Sequence, residues 1–129
     1  MILAIRSDKP QAELYLLEVD GGIAGKYKWE ANRTLADTLI TKINQFLKAN
    51  HVRKSDLTGL VVFTGQGSFT GLRIGTTVAN ALAYALNIPV IKLSGDDWLE
   101  KISTAIKEAL SGQYVVPDYD GEPNITRLK

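Results

Sequence analysis

The run from Gly59 to Thr64 constrains this chain more than any other segment. It reads Gly-Leu-Val-Val-Phe-Thr, with no charge and no alternation. A strand of that composition is covered on both faces, which is the setting of a parallel sheet. A glycine-rich turn follows, then apolar residues at helical spacing from Thr70 to Leu86, then Pro89-Val90-Ile91-Lys92-Leu93. Strand, helix and strand of these lengths form a crossover unit with two parallel strands.

The flanking segments extend this unit. Residues 2 to 6 read as a short buried strand, and Ala12 to Glu18 as a second. Asp20-Gly21-Gly22 is a turn signal, after which Ile23 to Trp29 returns as a third strand. The period then changes. Leu35, Leu39, Ile43, Phe46 and Leu47 recur at helical spacing between Thr34 and Asn50, with Asn32 or Thr34 as the cap. Ser94 or Asp96 can open a last helix that runs through Leu110 and ends at Gly112, with Trp98, Ile102, Ala105, Ile106 and Ala109 facing inward. An antiparallel meander, a helix, then strand-helix-strand-helix is the order of a ribonuclease-H-like half, the repeating unit of the actin-like ATPase superfamily. The expected fold is therefore α/β, a mixed five-stranded sheet with helices on both faces. Residues 1–112 form the domain, and 113–129 an extended polar tail containing Pro117 and Pro123.

Composition removes several kinds of chemistry. The chain has 129 residues, enough for one domain with its own core. There is no cysteine, so disulfides, thiolate metal sites and cysteine nucleophiles are excluded. His51 is the only histidine, and it reads as a solvated residue at a helix end. Ser68 as a nucleophile would have no other base of that kind. Net charge is +1 with both signs interspersed, so no global pull on nucleic acid is expected, although a local basic cluster would not register in that number. The opening residues Met1-Ile2-Leu3-Ala4-Ile5 are too short for a secretory leader. The mostly apolar stretch Val78 to Ile91 is interrupted and too short to span a bilayer. A cytoplasmic location is expected.

Two features of the central segment bear on function. The turn Thr64-Gly65-Gln66-Gly67-Ser68-Phe69-Thr70 leads from a strand into a helix, where backbone N–H groups can hold an anion. Gly65, Gly67, Ser68 and Thr70 are its candidate phosphate contacts. It is not a P-loop, since no Gly-Lys-Ser/Thr occurs, and Thr70 stands where a dinucleotide fingerprint needs glycine. The plain alternative is a strand-to-helix turn in which glycine serves packing. The helix after it carries Gly71, Gly75, Ala79 and Ala83 four residues apart, hence on one face. A stripe of small residues admits a second helix, from a partner or from the same chain.

Gly65-Gln66-Gly67-Ser68-Phe69-Thr70-Gly71-Leu72-Arg73-Ile74-Gly75 resembles the signature of the TsaB (YeaZ) family, Gly-Pro-Gly-Ser-Phe-Thr-Gly-Leu-Arg-Ile-Gly, departing only at Gln66. The opening strand and Ile88-Pro89-Val90-Ile91 are also similar, so the resemblance covers about residues 1 to 110. It implies a non-catalytic scaffold that supports a TsaD-like subunit in threonylcarbamoylation of the tRNA adenosine next to the anticodon. A TsaE-like ATPase would join the assembly, a homodimer is expected, and tRNA would be met only through the complex. ATP and Mg²⁺ would belong to the partner subunits, and no cofactor to this chain. By the same resemblance the helices at 34–50 and 70–86 would form the contact surface, through Leu35, Leu39, Gly71, Leu72, Gly75, Ala79 and Ala83. A bulky residue at Gly75 or Ala79 is then expected to block the complex and leave the fold largely intact.

The departures are informative. Where the family's first strand ends Asp-Thr-Ser, this chain has Arg6-Ser7-Asp8. Arg6 cannot bind a metal, and Asp8 is displaced by two residues. Asn32-Arg33-Thr34 replace a His-Ser-Glu element. The family's second half is missing, while Pro117-Asp118-Tyr119 looks like the element that ends longer members, so a naturally shortened chain is expected. The alternative function is a nucleotide- or phosphate-binding domain of actin-like ATPase type, with Asp8 as its carboxylate. A ribonuclease-H-type nuclease would need a carboxylate cluster that Arg6 and Val61-Val62-Phe63 do not supply.

Overall fold

The computed structural model describes residues 1–65, 69–110, 115–117 and 123–125. Strands β1 (Ile2–Arg6), β2 (Gln11–Leu17) and β3 (Ile23–Glu30) form the antiparallel meander. Its second turn is tight. Gly21 takes φ 100°, Glu18 N–H donates to Gly22 O, and Gly22 N–H donates to the Asp20 carboxylate. Helix α1 (Leu35–Ala49) follows a 3₁₀ turn at Asn32–Thr34. Then come β4 (Gly59–Phe63), α2 (Phe69–Leu86), β5 (Val90–Leu93) and α3 (Trp98–Leu110). The sheet order is β3-β2-β1-β4-β5, with β1, β4 and β5 parallel.

Each face of the sheet has its own core. Leu3, Ile5, Leu14, Leu60 and Val62 point to one side, where Leu39, Ile43 and Phe46 of α1 and Ala79 and Ala83 of α2 cover them. Ile2, Ala4, Leu17, Val61 and Ile91 point to the other, under Trp98, Ile102 and Ile106 of α3. Both alternations follow from the two-residue period of a strand. They explain why every residue of β4 is buried. Gly59 lets α3 close on the sheet: a Cβ there would collide with Ile106.

The capping expectations were partly wrong. Thr34 precedes α1, but its hydroxyl donates to Ala31 O at 2.5 Å and makes no cap bond. Helix α3 starts at Trp98, after Asp97, and not at Ser94 or Asp96. Within the tail, β6 (Val115–Pro117) and β7 (Pro123–Ile125) pair antiparallel, with Pro117 opposite Pro123. Gly112, expected to end α3, lies outside the described residues.

Candidate functional site

The parallel strands β1 and β4 end beside the start of α2, and a cleft of about 340 Å³ opens there. Ser7, Lys9, Pro10, Asn32, Thr70 and Gly71 are among its lining residues. Ser7 is buried and its hydroxyl donates to Gly71 O at 2.7 Å, tying the end of β1 to the first turn of α2. Of the candidate anion contacts, Gly65 is half-buried and Thr70 exposed, while Gly67 and Ser68 lie outside the described residues.

Asp8 is committed elsewhere. Its carboxylate accepts Arg6 Nε at 2.8 Å and a second guanidinium nitrogen at 3.3 Å. Arg6 itself lies over the Phe63 ring, 3.9 Å from the centroid, on the α3 side of the sheet. This two-point pair is the strong form of a charge-assisted bond. The hydrogen bond to Asp8, working against burial, raises the guanidinium above its ordinary range. Arg6 therefore holds the carboxylate that the nucleotide reading requires. Among the described residues no three His, Asp or Glu side chains gather as a metal site would need.

The seven residues expected at a partner interface all turn inward. Leu35 and Leu39 are core residues under the sheet. Gly71, Gly75, Ala79 and Ala83 are buried, and Leu72 packs into the cluster that contains Trp98. The space of a Gly75 side chain is taken by the Ser7 hydroxyl, with Val62 behind it at 3.7 Å. The small-residue stripe lets α2 lie low on its own sheet. The interface assignment to these seven residues is corrected on that ground.

What the two helices leave outside is one step round. Ile40 is 59% exposed and Tyr84 67%. Between α1 and α2 runs an apolar cleft of about 370 Å³, lined chiefly by Ile40, Ile43, Thr77, Val78, Ala81 and Leu82. A legible signal existed for it: Ile40 is an isoleucine on the otherwise polar face of an amphipathic helix.

Comparison with known proteins bears on the family. The family model of TsaD, tRNA N6-adenosine threonylcarbamoyltransferase, matches residues 17–112. The chain belongs to the TsaD family, and TsaB (YeaZ) proteins are among its relatives. TsaB of Haemophilus influenzae is 30% identical over 94 residues, which is 73% of this chain and 39% of that protein. TsaB of Bacillus subtilis is 36% identical, covering 45% of this chain and 32% of that one. A tRNA N6-adenosine threonylcarbamoyltransferase of Geotalea uraniireducens is 34% identical across 57% of this chain and 22% of its own length. The chain thus spans well under half the length of these TsaB and TsaD relatives. Among solved structures, YeaZ from Pseudomonas aeruginosa superposes with a TM-score of 0.66 at 28% identity, over 72% of this chain and 43% of that one. RuvC of Thermus thermophilus, at 13% identity and a TM-score of 0.51 over 86% of this chain and 69% of its own, shares the fold alone. The TsaB-like fold is ribonuclease-H-like, as the element order implied. Among its described residues no helix is long and apolar enough to cross a membrane.

Proposed function

We propose that this chain is a non-catalytic, protein-binding member of the machinery that makes threonylcarbamoyladenosine on tRNA, and that it docks a TsaD-like subunit on the outer face of α1 and α2. The apolar cleft between those helices, with Ile40 and Ala81 at its rim and Tyr84 exposed beyond it, carries the reading. A solvent-facing isoleucine and tyrosine beside an apolar groove gain little in the free chain and much when a partner helix covers them. The names of the relatives supply the pathway. The Arg6–Asp8 pair argues against the alternative, a Mg²⁺-nucleotide site at the start of α2. A TsaE-like ATPase, a homodimer through the same face and access to tRNA through the assembly are parts of the same proposal, as is a cytoplasmic setting.

The test is co-elution with a TsaD-like subunit. Ile40→Asp combined with Ala81→Arg should weaken binding by at least about 30-fold, the scale of a central interface residue, while the melting curve of the free chain stays in place. A double variant that still co-elutes at wild-type concentration removes the α1–α2 face from the proposal.

A further inference from the structure

The C-terminal end of α1 opens a second groove, of about 410 Å³, which adjoins the proposed docking face. Leu47 is its buried floor, with half-buried Val52 beside it, and exposed Lys48, His51, Arg53 and Lys54 surround them. No carboxylate lines it. The nearest acid, Asp56, accepts the Arg53 backbone N–H and lies 3.6 Å from its guanidinium, which is still 83% exposed.

Cations at a helix C-terminus usually serve the last carbonyls. These do not. Phe46 O receives Asn50 N–H and the Asn50 side-chain amide, Leu47 O receives Val52 N–H at 2.9 Å, and Lys48 O receives His51 N–H at 3.1 Å. Among the described residues, the side chains of Lys48, His51 and Lys54 have no hydrogen bond or ion pair. His51 takes φ 58°, which turns the chain back sharply and gathers residues 48 and 51–54 round one opening. Three fixed charges and an imidazole therefore converge where the fold does not require them, in a chain whose net charge is only +1.

We infer that this groove binds the phosphate backbone of RNA. Exposed lysine and arginine tips take phosphate oxygens, and the contact is strengthened by counterion release. The groove lies at the carbonyl end of α1, where no run of backbone N–H groups can cradle one small phosphate. A polyanion that crosses the rim and meets several side-chain tips suits it better. The inference rests on the reading of the chain as part of tRNA modification, and it gives this chain a direct contact with RNA in place of access through the assembly alone. Asn44 and Lys54 line both this groove and the apolar cleft, so RNA held here would lie at the edge of the partner interface.

Fluorescence anisotropy of a tRNA transcript with the free chain tests it. With three phosphate contacts the affinity should fall about 20- to 40-fold between roughly 50 and 200 mM salt. Lys48→Glu, Arg53→Glu and Lys54→Glu together should weaken binding at least tenfold and flatten that salt dependence. A control carrying the same net charge, Lys26→Glu, Lys28→Glu and Lys107→Glu, should lose under about threefold at roughly 0.15 M salt, where distant charges are screened. Circular dichroism of both variants shows that each is folded. Equal losses in the two variants, or no salt-dependent binding by the wild type, overturn the inference. So does displacement of tRNA by tripolyphosphate at equal phosphate concentration, which would assign the groove to a small anion. A variant carrying only Lys48→Glu and Arg53→Glu, neither of which lines the apolar cleft, that keeps tRNA but loses a TsaD-like subunit would assign the groove to an acidic protein surface. Ile40→Asp with Ala81→Arg should leave tRNA binding unchanged, which separates this outcome from failure of the docking proposal.

Discussion

Gly75 has no side chain because the Ser7 hydroxyl stands where one would be. Ser7 in turn is fixed by its bond to Gly71 O, so the end of β1, the start of α2 and the middle of α2 meet at three small residues. This makes Gly75→Val a fold variant and not an interface variant, contrary to the expectation from spacing alone. Overpacking of this kind costs about 1–3 kcal/mol. A thermal melt should show a loss of roughly 5–10 °C. An unchanged melting temperature with a lost partner would restore the original assignment. The spacing of Gly71, Gly75, Ala79 and Ala83 was plain in the sequence. Which surface the stripe meets was not, because the sheet that fills it comes from residues distant along the chain.

At the scale of elements, α1 and α2 stop in the same way. His51 and Asn87 both take left-handed backbone angles, φ 58° and 56°. The next residues fold back: Val52 N–H donates to Leu47 O and Ile88 N–H to Ala83 O. Val52 and Ile88 then pack against the core, the hydrophobic contact that accompanies this kind of helix end. Glycine is the common residue at such a position; without it, the end of the apolar spacing at Asn50 and Leu86 still marked both stops. A β-carbon in the left-handed region costs roughly 1–2 kcal/mol, part of which glycine returns through the entropy of the unfolded chain. His51→Gly should therefore stabilise by about 0.5 kcal/mol, read from denaturant midpoints at constant slope. A destabilised variant would mean that the imidazole makes a contact that this geometry does not contain.

Across the whole molecule, one sheet separates two cores, and α3 with Leu72 of α2 packs on the second. Trp98 is 2% exposed there, set edge-on to Tyr15 and Phe63 with ring centroids 5.8 and 5.4 Å away. Tyr15 links this core to pH. Its hydroxyl donates to the Glu13 carboxylate, and burial first, then that hydrogen bond, raises the phenol above its usual range. Above a pH of about 10 an unfolded chain loses this proton while the folded chain keeps it. The contribution to stability is complete below that pH and is lost as pH rises through the folded-state value. The melting temperature should accordingly fall more steeply between roughly pH 9 and pH 11 in the wild type than in Tyr15→Phe. Parallel curves would show that Tyr15 titrates alike in both states.

The amino-acid pattern alone determined the element order, the parallel pairing around Gly59–Phe63 and the ribonuclease-H-like class, because those depend on local period and on the length of connections. The signature at 65–75 pointed to the family for the same reason: it is contiguous. Tertiary structure decided which side of each helix remains outside. The inward turn of Leu39 and Ala79, the outward turn of Ile40 and Ala81, and the Phe63 ring under Arg6 all depend on partners that meet only when β1 lies between β2 and β4. Helical spacing defines a face, but only the sheet it packs on determines which way that face looks.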